Sequence, residues 1–583
     1  MKHLKIKSLL VLSMMSTTVW AQQPITVYNE LPNPKTATAE WQSVQNNVIS
    51  WGSTDVRYKK EAPFSGSVVT AITQTAWRGE RISQQLVVSA ATPIYQLRIE
   101  LSDLQSSKGS TISTQKALKG FVRYVMTDGL NKDGQGGCGV RPDHSIYDSS
   151  LVADPIDHLN NTIAVKPKTT QAAWIGIDVP QNAQPGLYTA TATVSDGNTI
   201  LKRLMLRINV IKRTLPTADN QMFHLDLWQN PFAIARYHGV EPWSDAHLEA
   251  MKPYIQLYRQ AGGRSITCSI MHRPWNGQTF DPFRTMITWT KKVDGTWSFD
   301  FTVFDKCVEF MRSEGIKGNI YCYSMIPWEL TFRYFDQASD EFKYLNMEPG
   351  NEMYTKVWGT LLKDFAAHLK AKGWFDCTYL SMDERELDMM KKTIALIRTA
   401  DPDFKISLAG SLKNGISSEL SDFCVALRDK YTEEMKRKRK AQGKLTTYYT
   451  CCSEAYPNTF TFSPPAEAEF LGWYAAKDKL DGYLRWSIWS WVENPLQDSR
   501  FSNWAAGDTY MIYPGARSSI RFERLKAGIQ AYEKVRLLRE EFKNSPAKLK
   551  KINQILSAFD EHRIPKESAA KIVNKARTEI NKL

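Results

Sequence analysis

From about residue 214 onward the chain alternates short apolar segments with amphipathic stretches, and that alternation restricts the fold more than any other feature. The strand-like segments are Met222–Trp228, Ser265–Met271, Gly318–Ile326, Cys377–Glu384, Lys405–Ser411, Phe423–Leu427, Thr446–Cys452 and Gly482–Trp489. Helical patterns run between them at Ser244–Ala261, Val303–Glu314, Asn351–Lys372 and Glu386–Ala400, the first opened by a serine in capping position. The sixth strand is the least distinct. Repeated units of this number and span predict a (β/α)8 TIM-like barrel over residues 214–540.

A barrel of this kind gathers the carboxyl ends of its strands at one mouth. Those ends read Asp226-Leu-Trp-Gln-Asn, Met271-His-Arg-Pro-Trp, Tyr323-Ser-Met-Ile-Pro-Trp-Glu, Asp383-Glu384, Tyr448-Tyr-Thr and Arg485-Trp-Ser-Ile-Trp-Ser-Trp. Tyr456-Pro-Asn458 follows the seventh strand, and Asn494, Asp498, Arg500, Trp504 and Asp508 follow the eighth. Aromatic faces stack on the C–H side of a pyranose, while carboxylates, amides and arginine hydrogen-bond its hydroxyls. Such a rim suits a sugar. Singly, each tryptophan reads as well as core.

Tyr379-Leu-Ser-Met-Asp-Glu-Arg-Glu386 carries the chemistry. With period two, Leu380 and Met382 pack under helices while Tyr379, Ser381 and Asp383 face the interior. Glu384 lies one residue past the strand. The pair also reads simply as acids at the positive end of a helix dipole. Adjacent carboxylates do not fit the usual glycosidase, whose two acids flank the bond about 5–9.5 Å apart. They fit a reaction in which a 2-acetamido group of the substrate is the nucleophile. Asp383 would then accept from the acetamido N–H, and Glu384 would serve as acid and then base. Burial and the neighbouring charge are expected to raise the Glu384 pKa. A tyrosine of the seventh strand would hold the acetamido oxygen.

The flanks read differently. Residues 22–213 contain alternating runs (Ser83–Val88, Tyr95–Leu101, Gly120–Val125, Ala172–Val179, Tyr188–Val194, Thr199–Val210) broken by turn signals, which predict a β-sandwich. Asp133-Gly-Gln-Gly-Gly137 lacks the Lys-Ser/Thr of a phosphate loop and reads as a plain loop. Residues 541–583 show two helical faces, Leu549/Ile552/Leu556/Phe559 and Ile572/Ala576/Ile580, separated by Pro565, and predict a packed helical appendage. Residues 1–21 have the basic start, apolar run and small-residue end of a secretion signal, so the protein is expected in the periplasm or outside the cell. No later segment is apolar enough to be a transmembrane span.

The formal charge is +14, of which Lys2, Lys5 and Lys7 leave with the signal. The rest is concentrated in Lys436–Lys440 and the tail, where solvated faces are the ordinary explanation. Export makes nucleic acid an unsuitable partner. The eight cysteines show neither a disulfide framework nor zinc spacing, so no metal and no other cofactor is expected.

Asp226-Leu-Trp-Gln-Asn-Pro, Tyr379–Glu384, Asp481-Gly-Tyr-Leu-Arg-Trp, Glu493-Asn-Pro-Leu-Gln-Asp-Ser-Arg, Trp504-Ala-Ala-Gly-Asp-Thr-Tyr-Met-Ile-Tyr-Pro-Gly and Ser519-Ile-Arg-Phe-Glu-Arg resemble family 123 of the glycoside hydrolases. The resemblance spans roughly residues 214–540 with a sandwich ahead of it. It implies a retaining exo-β-N-acetylgalactosaminidase that uses substrate assistance through Asp383-Glu384, acting on terminal β-linked GalNAc of glycosphingolipid-type or other host glycans. The residues alone leave GlcNAc, a nucleophile among Glu493, Asp498 and Asp508, and a non-catalytic glycan-binding barrel open.

The expected catalytic residues are Asp383 and Glu384. The expected sugar contacts are Tyr448, Tyr449, Asn458, Arg485, Trp486, Trp491, Asp508, Trp228, His272 and Trp328. Several have a second reading: Arg485 and Arg500 as partners of Asp498 or Glu523, Asp508 as a turn cap, His272 as a core histidine. Arg521 and Glu523 read as an internal ion pair.

Overall fold

The structure is a computed structural model describing residues 25–130, 138–139, 149–412 and 415–583. The signal and the Asp133–Gly137 loop lie outside the described residues.

The N-terminal region is a sandwich of two sheets. One has the order Val48–Gly52, Arg81–Ala90, Thr169–Asp178, Leu118–Thr127, Ser150–Asp157. The other is built on Ala71–Arg78, Thr199–Thr214, Gly186–Asp196 and Ile94–Leu101. Along Gly186–Asp196 buried and half-buried residues alternate, and Tyr188, Ala190, Ala192 and Val194 enter the core between the sheets.

Eight parallel strands follow: His224–Leu227, Ile266–Ser269, Ile320–Tyr323, Thr378–Met382, Lys405–Gly410, Asp422–Ala426, Leu445–Tyr449 and Gly482–Arg485. Each from the second to the seventh pairs with its successor in sequence, and the eighth pairs with the first. Between the first strand and the second there is a Leu225–Gly263 bridge, and Gln229 bonds Thr267 twice, its side chain accepting from Thr267 N at 3.0 Å and its backbone N–H donating to Thr267 Oγ1 at 3.3 Å. The arrangement is consistent with a TIM-like barrel. Gly482 sits where a Cβ would lie 1.8 Å from the His224 carbonyl oxygen, so only glycine permits the eighth strand to approach the first.

Two of the barrel's helices start on side-chain caps. Ser244 accepts from His247 N, and Asn351 from Tyr354 N. Two departures from a regular barrel stand out. Among the described residues no helix joins the fifth and sixth strands. The connections after the second and third strands form a separate four-stranded sheet from Thr288–Lys291, Trp297–Asp300, Thr331–Asp336 and Glu341–Asn346, which the sequence reading did not anticipate.

The helix Ile520–Glu541 is buried on nearly all sides, between the barrel and the sandwich. It crosses the helix Pro465–Asp478 at Gly472 and Gly528, where a Cβ on Gly472 would lie 2.0 Å from the Gly528 carbonyl. Arg521 and Glu523 do not pair with each other. Arg521 meets Asp154 at 2.9 Å, and Glu523 meets Arg81 at 2.8 Å and Lys526 at 2.5 Å. Ser518–Ser519 adds a strand to the sandwich beside Ser150–Asp157. The two regions are thus joined by backbone pairing and buried charge. The tail helices Pro546–Leu556 and Ala569–Ile580 pack on the same layer, with Phe559 stacked on Trp473 at 5.0 Å.

Candidate active site

The fourth strand shows the predicted alternation. Leu380 and Met382 enter the core between sheet and helices, while Tyr379 joins an interior cluster with Trp228, Trp275, Tyr323 and Tyr449. The strand ends at Met382, and Asp383 and Glu384 follow at the mouth.

Asp383 is half-buried and held at both oxygens. Its Oδ1 accepts from the Glu384 backbone N–H at 2.9 Å. Its Oδ2 accepts from two indoles, Trp275 Nε1 at 2.9 Å and Trp328 Nε1 at 3.2 Å. Trp275 is itself clamped: it stacks on Trp228 at 4.9 Å and meets Phe283 and Tyr323 at 4.6 and 5.0 Å. Trp328 is 36% exposed, with the Arg385 guanidinium 5.2 Å from its ring. Glu384 is exposed and accepts from the Tyr449 hydroxyl.

Burial, and then the Glu384 charge, push the Asp383 carboxyl up to about 6, against the pull of its N–H donors. Asp383 is the less exposed member of the pair. Tyr449 is held protonated, well above the usual phenol range, by burial and by the Glu384 carboxylate. It can therefore act only as a hydrogen-bond donor to that oxygen.

Of the other expected contacts, the structure brings Tyr449 and Trp328 to the carboxylate pair. Trp228 stands one ring behind, against Trp275. Trp486 is half-buried and lies edge-on to Trp504 at 5.7 Å. The remaining expected contacts lie away from the pair. Tyr448 points to the helix layer, donating to Leu471 O at 2.7 Å, because adjacent strand residues face opposite ways. Trp491 is core, its indole donating to Ile512 O at 2.7 Å. Asn458 is buried, donating to Cys451 O and Glu454 O and accepting from Arg485 at 2.5 Å. Arg485 also donates to Thr450 O and forms an ion pair with Asp508, neither side chain being exposed. Asn458, Arg485 and Asp508 are thus a frame behind the loop that follows Tyr449. His272 does not touch the pair and faces an adjoining cavity.

Two of the three rival carboxylates are held in ion pairs. Asp508 is neutralised by Arg485, Asp498 by Arg500 at 2.7 Å, and Glu493 is exposed in a loop. Trp275 is the residue that sequence reasoning passed over. It ends the second strand's Met271-His-Arg-Pro-Trp, and that position was the available signal. A cleft of about 820 Å³ between sandwich and barrel is lined by none of these residues. A disulfide links Cys138 to Cys452, just after the seventh strand.

Residues 228–538, just over half the chain, match the catalytic-domain model of glycoside hydrolase 123, and residues 51–196 match the model of the N-terminal domain of that family. A family 123 glycoside hydrolase from Clostridium perfringens, described as hydrolysing glycolipid glycans, shares 26% identity. It aligns over 92% of this chain and 98% of its own, with a TM-score of 0.83. A family 39 glycoside hydrolase from Bacteroides cellulosilyticus aligns at 11% identity over 73% of this chain and 82% of its own, with a TM-score of 0.34, too distant to bear on the chemistry. A search of curated proteins gives no match. The chain belongs to glycoside hydrolase family 123.

Proposed function

We propose that this hydrolase releases terminal β-linked N-acetylgalactosamine with retention, the substrate's own acetamido group acting as nucleophile. The observation that carries the reading is the adjacency of Asp383 and Glu384 at one strand end. In the first step Glu384 protonates the glycosidic oxygen as the acetamido carbonyl oxygen attacks C1, giving an oxazolinium ion. Asp383 accepts from the acetamido N–H and offsets the developing positive charge. Water then attacks C1, Glu384 takes its proton, and two inversions leave the anomer unchanged.

Tyr449 donates to Glu384. A bound acetamido oxygen competes for that hydroxyl, which would free Glu384 to carry the proton. Glycolipid-type glycans are the proposed substrates, in keeping with the Clostridium perfringens relative. The protein is proposed to be exported, and its disulfide suits an oxidising compartment. Amino-terminal sequencing of mature material beginning at Gln22 would test this.

Hydrolysis of aryl β-GalNAc and aryl β-GlcNAc, with Asp383→Asn and Glu384→Gln alongside, tests the chemistry. Retention in the nascent product and loss of orders of magnitude in the Asn variant are expected. Glu384→Gln should keep more activity on an activated aryl glycoside than on a natural glycan, since a good leaving group needs little protonation. Cleavage of 2-hydroxy glycosides at a similar rate would exclude substrate assistance, and a strong preference for GlcNAc would reassign the sugar.

A further inference from the structure

The additional four-stranded sheet closes a second cavity of about 230 Å³ over the second strand's carboxyl end. Its lining includes Phe232, Trp243, His272, Arg284, Trp289 and Arg333. Phe232 and Trp243 meet edge to face at 5.9 Å, and Phe232 also belongs to the cluster around Trp275, so one aromatic wall separates this cavity from the mouth. Arg284 is the residue after Phe283, which packs on Trp275.

Arg333 is half-buried and Arg284 is exposed at the cavity's rim. Arg284 and Arg333 have no carboxylate within 4.0 Å among the described residues. Among the described residues their guanidinium groups lie over rings, Arg284 at 5.9 Å from Phe232 and Arg333 at 3.7 Å from Phe342, and the Arg284 charge also acts on the Asp281 carboxylate, which pairs with Arg236. One acid, Glu241, reaches the rim and is bound to neither. In the same lining, His272 Nδ1 is buried and has no hydrogen-bond partner among the described residues. Burial and the Arg333, Arg273 and Arg284 charges push this imidazole down to about 4, so it is neutral at neutral pH and can donate one N–H and accept with the other nitrogen.

We propose that this cavity is an anion-accepting subsite, in which Arg284 and Arg333 hold a sulfate ester or sugar carboxylate of the glycan and His272 hydrogen-bonds the same residue. The inference rests on the glycosidase reading above and extends it to acidic glycans. Guanidinium groups pair with planar or tetrahedral oxyanions by forked hydrogen bonds, and the aromatic walls give the attached sugar ring a stacking face.

The test is calorimetric binding to the inactive Glu384→Gln protein of three short oligosaccharides ending in β-GalNAc, one neutral, one sulfated and one carrying a uronic acid. At least one acidic ligand should bind about tenfold or more tightly than the neutral one, with the excess shrinking as salt is raised. Arg284→Ala and Arg333→Ala should each cut that excess, whereas Arg437→Ala in the exposed basic run should not. The His272 ring resonances should titrate at higher pH once the acidic ligand is bound, a shift that a merely structural role would not produce. The better acidic ligand identifies the anion. Equal binding of all three, or an excess erased equally by Arg437→Ala, overturns the proposal. Binding of the acidic ligands without any binding of the neutral one would leave the anion site standing and count against the GalNAc reading.

Discussion

Trp275→Phe isolates one hydrogen bond at the centre of the site. Phenylalanine keeps much of the packing against Trp228, Phe283 and Tyr323 but cannot donate to Asp383 Oδ2. With the carboxyl at about 6, roughly nine-tenths of the protein carries the Asp383 anion at pH 7. A hydrogen bond to a charged acceptor contributes about 1.5–3 kcal/mol, and one pKa unit corresponds to about 1.4 kcal/mol. Losing this donor should therefore move the carboxyl up by about one to two units, leaving between about half and a tenth of it ionised at pH 7. The assay is kcat/KM against pH on an aryl glycoside. In the parent protein activity should fall as the pH drops through about 6, because the orienting carboxylate is being protonated. In the variant that acid limb should shift upward, costing about two- to ninefold at pH 7, with activity recovering above about pH 9. A uniform loss at every pH, with the limb unmoved, would refute the reasoning and leave Trp275 as packing alone. Trp328→Phe should shift the limb less, since its bond is longer at 3.2 Å and its indole is exposed enough for water to replace it.

Three further outcomes are expected. Tyr449→Phe should lower kcat by one or more orders of magnitude, whereas Tyr448→Phe should leave kinetics alone and cost about 1 kcal/mol in urea unfolding; reversal of the two would mean the strand is out of phase. Asp226, inside the barrel, is pushed up to about 8 by burial and by Asp422. Its folded-state pKa is raised, so its contribution to stability is complete below about pH 4 and is lost as the pH rises towards about 8. Asp226→Asn should flatten the fall in denaturation midpoint over that window, and an unchanged slope would contradict the shift. Arg485→Met should destabilise by about 3–5 kcal/mol by leaving Asp508 buried without its partner, and a double replacement of Arg485 and Asp508 by apolar residues should recover much of the loss.

Legibility followed locality. The alternation of Leu380 and Met382 against Tyr379 was readable because side-chain direction in a strand depends only on parity. Caps such as Ser244 and Asn351 lie within three residues of the amides they satisfy. Strand ends were drawn too long, as in Gly482–Trp489 against the observed Gly482–Arg485, because the chain leaves the barrel into apolar mouth loops that look like strand. The extra sheet was missed since its short strands, four to six residues each, are interleaved with a barrel helix and strand.

The sequence by itself determined the strand-rich start, the eight-strand barrel region, the helical tail and an Asp-Glu pair at a strand end. These follow from two- and 3.6-residue periodicities and from turn and capping chemistry. The tertiary structure alone decided which partners meet. Trp275 and Trp328 reach Asp383 from 108 and 55 residues away, and Arg521 finds Asp154 across 367. The Tyr448-Tyr449 pair has no polar or apolar contrast to set its phase, so pairing with the neighbouring strands selects Tyr449 for the mouth. Contacts over such separations depend on sheet register and on how the sandwich seats against the long helix, and no local periodicity encodes either.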